Sequence, residues 1–304
     1  MSKTKAGVSI VLIAAALGGA GWAFPVVRHT ALKAVGRGQG CPWRDTFQVA
    51  RDLQLLTLFR DQILQASKVV EKDPAGYHLV ETPHGRWWIP AGNDFVLPFN
   101  LAEQARDIYG DGGRGIRPGD IALDCGANVG VWTRTALDHG AKLVVAFEPA
   151  PENIESYRRN FQPEISAGTV VLVPKGVWDK DDTLLLRRDP NNSAADSFVE
   201  LKDKTHAVEA PLTTIDKVVA DLKLPRVDYI KMDVEGAEER ALHGANATLR
   251  NFHPRLAIAA EHLPTDAVRL PAAVRAAWPG YSMVCGGCFE SEDGHIRPDV
   301  LFFQ

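Results

Sequence analysis

The chain has 304 residues, 45% of them hydrophobic and 24% charged, which are ordinary globular values and leave ample length for a packed core. A formal net charge of −4 gives no electrostatic reason to expect a nucleic-acid partner. Four cysteines are too few and too scattered for the disulfide framework of a small secreted domain.

The first element is apolar. From Ala6 to Val27 the stretch "AGVSIVLIAAALGGAGWAFPVV" carries no charge, and as a helix it is long enough to cross roughly 30 Å of hydrocarbon. Lys3 and Lys5 precede it; Arg28, Lys33, Arg37 and Arg44 follow. A cleavable signal ending at Gly21-Trp22-Ala23 is the alternative. The basic excess after the span favours a retained single-pass anchor with the rest of the chain in the cytoplasm. Residues 1–40 thus read as anchor plus the linker "GRGQGCP", and 41–118 as an extension. In "FQVARDLQLLTLFRDQILQASKVV", Phe47, Ala50, Leu55, Leu58, Phe59, Ile63, Ala66 and Val70 fall at helical intervals, predicting an amphipathic helix packed on the main domain. "YHLVETPHGRWWIP" predicts a hairpin about Pro83-His84-Gly85, with Trp87 and Trp88 on opposite faces.

From residue 119 onward, β-type runs alternate with helical ones: "IALD", "LVVAFE", "TVVLVP", "VDYIKMD" and "RLAIAAEH". That alternation predicts a parallel sheet covered by helices on both faces. "YSMVCGGCFES" and "DVLFFQ" have no helix between them, so the last pair should be antiparallel. "RRDPNNSAAD", Arg187 to Asp196, reads as an exposed, mobile loop. Cys285-Gly286-Gly287-Cys288 is a single CxxC without a second pair, and it reads as a Gly-Gly hairpin turn rather than a metal site.

The informative stretch is "LDCGANVGVW", Leu123 to Trp132. In an open α/β sheet the ligand crevice lies at the carboxyl ends of the strands, and glycine there lets a ligand approach bare backbone whose amides face it. The dinucleotide pattern G-x-G-x-x-G fails, because Asn128 and Val131 occupy its second and third glycine positions. A phosphate loop fails as well, since no Gly-Lys-Ser/Thr follows. Glu148 closes the next strand about twenty residues on, where an acid can hold a ribose diol. An adenosine cofactor therefore fits, and the failed dinucleotide pattern with the antiparallel last strand favours S-adenosylmethionine (SAM). In "IKMDVEGAE", a strand would place Lys231, Asp233 and Glu235 on one side, a mutually compensating set of charges. Glu238 reads as a helix-face residue, with reach into the site as the lesser alternative. His262 ends the neighbouring strand and suits removal of a hydroxyl proton near neutral pH.

"IALDCGANVGVWT", "AFEPAPENIESYRRNF", "PLTTIDKVV" and "VDYIKMDVEGAEERALHGA" together resemble the FkbM family of SAM-dependent O-methyltransferases, from about Tyr77 to the C-terminus. The resemblance implies a class I methyltransferase-like, doubly wound α/β sheet of seven strands with an antiparallel last strand over residues 119–304, here preceded by a transmembrane helix and a helix–hairpin extension. It implies a methyl acceptor bearing a hydroxyl on a sugar, glycolipid or natural-product scaffold, and the anchor adds a preference for a lipid-linked one. With SAM bound, Asp124 would favour the methionyl ammonium, directly or through water. Gly126, Asn128 and Gly130 would face the methionyl and ribose portion, and Glu148 the ribose hydroxyls, with Asn153 beside it. Val177 and Asp179, in a segment resembling the one beside adenine, would pack on and accept from the base. Asp233 and His262 are the candidate bases, Lys231 and Glu235 their partners, and no metal is assigned. Two rivals remain: a nicotinamide-dependent oxidoreductase, disfavoured by Asn128 and Val131, and a catalytically silent scaffold, disfavoured by Asp124, Glu148 and Asp233.

Overall fold

A computed structural model describes residues 24–189, 192–199, 207–291 and 293–304. The extension holds helices α1 (Pro25–Ala34), α2 (Trp43–Thr46) and α3 (Val49–Ala66), strands β1 (Lys68–Asp73), β2 (Tyr77–Thr82) and β3 (Gly85–Pro90), and helix α4 (Val96–Ala105). Then come β4 (Ile121–Cys125), α5 (Val131–Asp138), β5 (Leu143–Phe147), α6 (Pro151–Asn160), α7 (Gln162–Ala167) and β6 (Val170–Val173). After β7 (Gly176–Val177), β8 (Asp182–Arg187) and β9 (Ala207–Thr213) the chain runs through α8 (Ile215–Asp221), β10 (Tyr229–Met232), α9 (Glu238–His243), α10 (Asn246–Phe252) and β11 (Arg255–Ala259). It closes with α11 (Asp266–Ala277), β12 (Met283–Cys285), β13 (Cys288–Glu290), β14 (Ile296–Pro298) and β15 (Val300–Phe303).

The main sheet has seven strands in the order β12-β15-β11-β10-β4-β5-β6. Strands β6, β5, β4, β10 and β11 are parallel, and β15 runs antiparallel to both of its neighbours. This mixed seven-stranded sheet fits the class I methyltransferase fold. Strand order reverses between β4 and β10, which opens a crevice at their carboxyl ends. The central strands are apolar apart from the paired Asp124 and Lys231, because both faces are covered. One face buries Ala122, Val144, Ala146 and Tyr229, the other Leu123, Val145, Ile230 and Ile258. Ile63, Trp87, Ile89 and Leu97 of the extension join the first of these clusters, so extension and sheet share one core.

Several local expectations change. The α3 helix stops at Ala66, and Lys68, Val69 and Val70 instead begin β1, which pairs antiparallel with β2; β-branched residues there gain a strand partner. The β2–β3 hairpin forms as expected, with Trp87 buried and Trp88 half-buried under the Arg159 guanidinium. Gly286-Gly287 is not a hairpin turn. Cys285 ends a strand of the main sheet while Cys288 starts a separate two-stranded sheet with β14. Of the Arg187–Asp196 stretch, residues 190 and 191 lie outside the described residues, and Ser193 is buried rather than exposed: it is 4% exposed and its amide donates to Asn93 Oδ1 at 2.7 Å. Among the described residues no helix is long and apolar enough to cross a membrane. Most of the Ala6–Val27 span lies outside the described residues, and α1 begins at Pro25 after an extended Phe24.

Candidate active site

A cleft of about 530 Å³ opens at the carboxyl ends of β4, β5, β10 and β11, within the range of small-ligand sites. Its floor depends on Gly126. This residue has φ +80°, and a Cβ there would lie 1.7 Å from the carbonyl oxygen of Asp233, so glycine alone lets the loops after β4 and β10 meet. Gly130 has a different task. A Cβ on it would strike the Phe161 ring at 2.1 Å, and Gly130 does not line the cleft, so it serves packing rather than a ligand. The loop amides are also spent internally: those of Gly126 and Ala127 donate to the Phe147 carbonyl at 3.1 and 2.9 Å. The expected row of ligand-facing amides is therefore replaced by bare backbone and the side chain of Asn128, whose φ is +49°.

Glu148 lines the cleft and is 5% exposed. Its carboxylate accepts from the amides of Asn128 (2.8 Å) and Ala150 (2.9 Å) and from Asn153 Nδ2 (3.3 Å). Burial nonetheless pushes its pKa up to about 7, with those donors and Lys231 pulling the other way. Asn153 stands behind the wall. It is 1% exposed and also donates to the Ser193 carbonyl at 3.0 Å, which Asn128 Nδ2 reaches at 3.2 Å. Three asparagines, Asn93, Asn128 and Asn153, thus pin Ser193 over this end of the cleft. Val177 is a buried lining residue. Asp179 is not in the cleft; Arg240 Nη1 donates to its carboxylate at 2.6 Å. Asp124 is off the wall as well. It is fully buried, accepting from the Thr133 hydroxyl at 2.6 Å, and lies 3.5 Å from Lys231 Nζ.

The other end of the cleft is charged. Lys231 faces Asp124 across the β4–β10 register, and its ammonium donates to the Gly126 carbonyl at 2.8 Å and lies 3.6 Å from Asp233. Asp233 accepts from the Tyr109 hydroxyl at 2.9 Å. His262 Nε2 sits between Asp233 and Glu235, at 3.6 and 3.5 Å, and Nδ1 is 3.0 Å from Glu238. Glu235 lies in the left-handed region at φ +54°, with its carbonyl held by the Ser197 hydroxyl at 2.8 Å; non-glycine residues in that conformation concentrate at functional sites. Burial would raise the Asp233 carboxyl, but Lys231, then His262 and the Tyr109 hydroxyl, bring it below the usual value. For His262, burial is overcome by Glu238 and Glu235, which hold the imidazole well above its ordinary pKa. His262 thus stands among three carboxylates that favour its protonated form, which weighs against its expected role as a near-neutral base.

Beyond Asp233 the wall is acidic and aromatic. Glu103, Glu261 and Asp299 line it beside Phe95 and Phe99. Burial and then Asp299 push Glu261 up to about 8, burial pushes Asp299 to about 6, and Glu103 is driven well above the carboxylate range by burial and then Glu261.

Residues 124–286 match the Methyltransferase FkbM domain. The chain belongs to the FkbM methyltransferase family. It is 28% identical over 157 residues to the 31-O-demethyl-FK506 methyltransferase FkbM of Streptomyces tacrolimicus, covering 42% of this chain and 60% of that one. It is 30% identical over 142 residues to Methyltransferase 1 of Beauveria bassiana (strain ARSEF 2860), covering 40% and 57%. The chain thus spans about three fifths of the length of these relatives. A crystal structure of methyltransferase FkbM from Methylobacillus flagellatus aligns at 17% identity and a TM-score of 0.45, over 84% of this chain and 60% of that one.

Among the lining or supporting groups of this FkbM-family cleft that escaped the sequence reading are Asn93, Glu103, Tyr109, Ser193 and the buried carboxylate of Glu238. Glu238 accepts from the Val234 amide at 2.9 Å four residues upstream and so faces back along the loop. The others come from the extension and the Ser193 segment, which no motif ties to the sheet.

Proposed function

We propose that the chain transfers a methyl group from SAM to a hydroxyl of a sugar, glycolipid or natural-product acceptor. The observation that carries this reading is the Asp233 carboxylate, held between Lys231, the Tyr109 hydroxyl and His262 where the two halves of the cleft meet. One half fits a nucleoside: Glu148 accepts from the ribose hydroxyls, Asn128 and the Gly126 backbone flank the methionyl portion, and Val177 packs on the base. Asp124 supports that half from behind, through Lys231 and Thr133. When bound, SAM supplies an activated methyl on a sulfonium. Asp233 would hold the acceptor hydroxyl beside the cofactor half of the cleft and take up its proton during transfer. The other half suits a polyhydroxylated acceptor. Glu261, its carboxyl pushed up to about 8, can donate as well as accept, Glu103 stands beside it, and Phe95 and Phe99 offer apolar faces.

Calorimetry tests the cofactor assignment. SAM and its demethylated product should bind, NAD should bind far more weakly, and Glu148→Ala should lose about 1–3 kcal/mol of SAM binding. Ribose hydroxyls donate to the ionised form of Glu148. With its carboxyl near pH 7 in the free protein, SAM affinity should rise by up to about tenfold from pH 6 to pH 8. Glu148→Gln should flatten that rise. Tight NAD binding without any response to SAM would sink the assignment.

Membrane attachment through Ala6–Val27, with the methyltransferase domain cytoplasmic, is proposed from the charge asymmetry alone. The Cys41–Cys288 disulfide pulls the other way, since such bonds are rare in reducing compartments. Fractionation of cells, with protease added to spheroplasts, decides. The proposal expects a membrane-bound, protected domain, and an exported soluble protein starting near Phe24 would replace it with a cleaved signal.

A further inference from the structure

Three of the four cysteines converge at the seam between the extension and the last strands. Cys41 and Cys288, 247 residues apart in sequence, are joined by a disulfide with Cα atoms 6.2 Å apart. A disulfide needs two sulfurs, yet a third is present: Cys285 Sγ lies 3.7 Å from Cys288 Sγ, and all three sulfurs fall within 4.8 Å of one another. Val49 and Ile296 enclose them.

We propose that, once the Cys41–Cys288 bond is reduced, the three cysteines bind a soft divalent ion of the zinc class as a trithiolate site. The same seam is then tied by a disulfide under oxidising conditions and by a metal under reducing ones. This inference stands apart from the methyl-transfer reading.

A tetrahedral zinc site with Zn–S of about 2.3 Å sets its sulfurs about 3.8 Å apart. The Cys285–Cys288 separation of 3.7 Å already matches that edge, and C-x₂-C is the spacing of zinc-binding turns. Cys41 supplies the third thiolate from a remote segment, and water takes the fourth position. Three thiolates and Zn²⁺ leave one negative charge. Lys33 answers it, because its ammonium donates to the carbonyls of Cys41 and Gly38, the latter at 2.9 Å. Sulfur ligands exclude hard ions such as Mg²⁺ and Ca²⁺. In the reductive step a dithiol passes two electrons to the disulfide and closes to a cyclic disulfide. Metal uptake then releases the thiol protons.

The seam reaches the acceptor wall. The Gly287 carbonyl accepts from the Asp299 amide at 3.0 Å, and Asp299 lines the cleft. On the other side the Arg37 carbonyl accepts from the Ile296 amide at 2.7 Å, and Glu290 pairs with Arg28 and His29.

The full-length protein is reduced with dithiothreitol without oxygen, freed of reductant, given zinc chloride, desalted and assayed for bound zinc by mass spectrometry. Wild type should retain about one equivalent, with Cys285→Ser and Cys41→Ser each lowering zinc affinity at least about tenfold. Disulfide-oxidised wild type should retain far less than reduced protein, and Cys125→Ala, whose thiol is buried in β4, should behave as wild type. Peptide mapping of the Cys41–Cys288 disulfide on reoxidation confirms that Cys285→Ser is folded. Asp233, Glu238 and His262 also bring ligand atoms within 4.8 Å, so His262→Ala is assayed in parallel. No zinc on reduced wild type, undiminished zinc in Cys285→Ser, or loss confined to His262→Ala would each overturn the proposal.

Discussion

Asp233→Asn should lower turnover by about 10²–10⁴-fold while leaving SAM affinity within a few fold. Asparagine keeps the shape and can still accept from the Tyr109 hydroxyl, so the loop should stay in place. What it loses is the proton acceptor. In the proposed O-methyl transfer a depressed pKa is no handicap, because a hydroxyl proton becomes far more acidic than any carboxylic acid as its oxygen is alkylated. Lys231 and His262 hold the Asp233 carboxyl below the usual carboxylate value, and Glu238 and Glu235 hold His262 well above its ordinary pKa. At saturating SAM, turnover should therefore be level between about pH 5.5 and 7.5 rather than rise as a free histidine titrates. His262→Ala removes one of the two cations beside Asp233 and should lower turnover without creating such a rise. The check is labelled-methyl transfer from SAM to an acceptor identified in fractionated polar or membrane extracts. Near-normal turnover in Asp233→Asn would end the assignment of the base. A rise in wild type that His262→Ala abolishes would restore histidine to that role, and equal loss of binding and turnover would make Asp233 part of the cofactor site or the fold.

Sequence periodicity carried the sheet because strand–helix alternation and unbroken apolar runs follow from burial on both faces. It also brought Glu148, Lys231, Asp233, Glu235 and His262 to one edge, since each sits at the carboxyl end of a strand that parallel pairing aligns. Depth was not legible in the same way. Asp124 and Lys231 are opposite one another in register, yet nothing in "LDCG" shows that the aspartate turns inward to Thr133 while the lysine bridges to the cleft. Asp179 looked like an adenine ligand because its segment resembled one, and Arg240, sixty-one residues on, takes its carboxylate. The histidine's protonation state depends on Glu238, whose helix position suggested solvent but whose side chain is fully buried. A cysteine count excludes a framework of disulfides but says nothing about one long-range pair, and Cys41–Cys288 is such a pair.

Lys231→Met should cost about 3–5 kcal/mol of stability at neutral pH, a large share of the roughly 5–15 kcal/mol that holds a domain folded. Methionine matches the length of the aliphatic stem, so the loss is electrostatic rather than a cavity. Lys231 is 4% exposed, and its ammonium stands 3.5 Å from Asp124 and 3.6 Å from Asp233. Burial lowers the lysine pKa, but Asp124 and Asp233 outweigh it and leave the net value raised, so its contribution is present at neutral pH and lost only in strong alkali. Asp124 has the opposite sign. Burial raises its carboxyl even with Lys231 present, so its charged form weakens the fold as pH climbs from about 3.9 through the folded value. Without Lys231 that folded value moves higher and the window widens towards neutrality. The deficit of Lys231→Met should therefore be small near pH 4.5 and large at pH 7.5, as read by urea unfolding at the two values. Adding Asp124→Asn removes the stranded charge and should recover most of the loss at pH 7.5, a coupling that independent sites would not show. A variant as stable as wild type at pH 7.5, or a deficit identical at both pH values, would mean that Lys231 does not neutralise Asp124 in the interior.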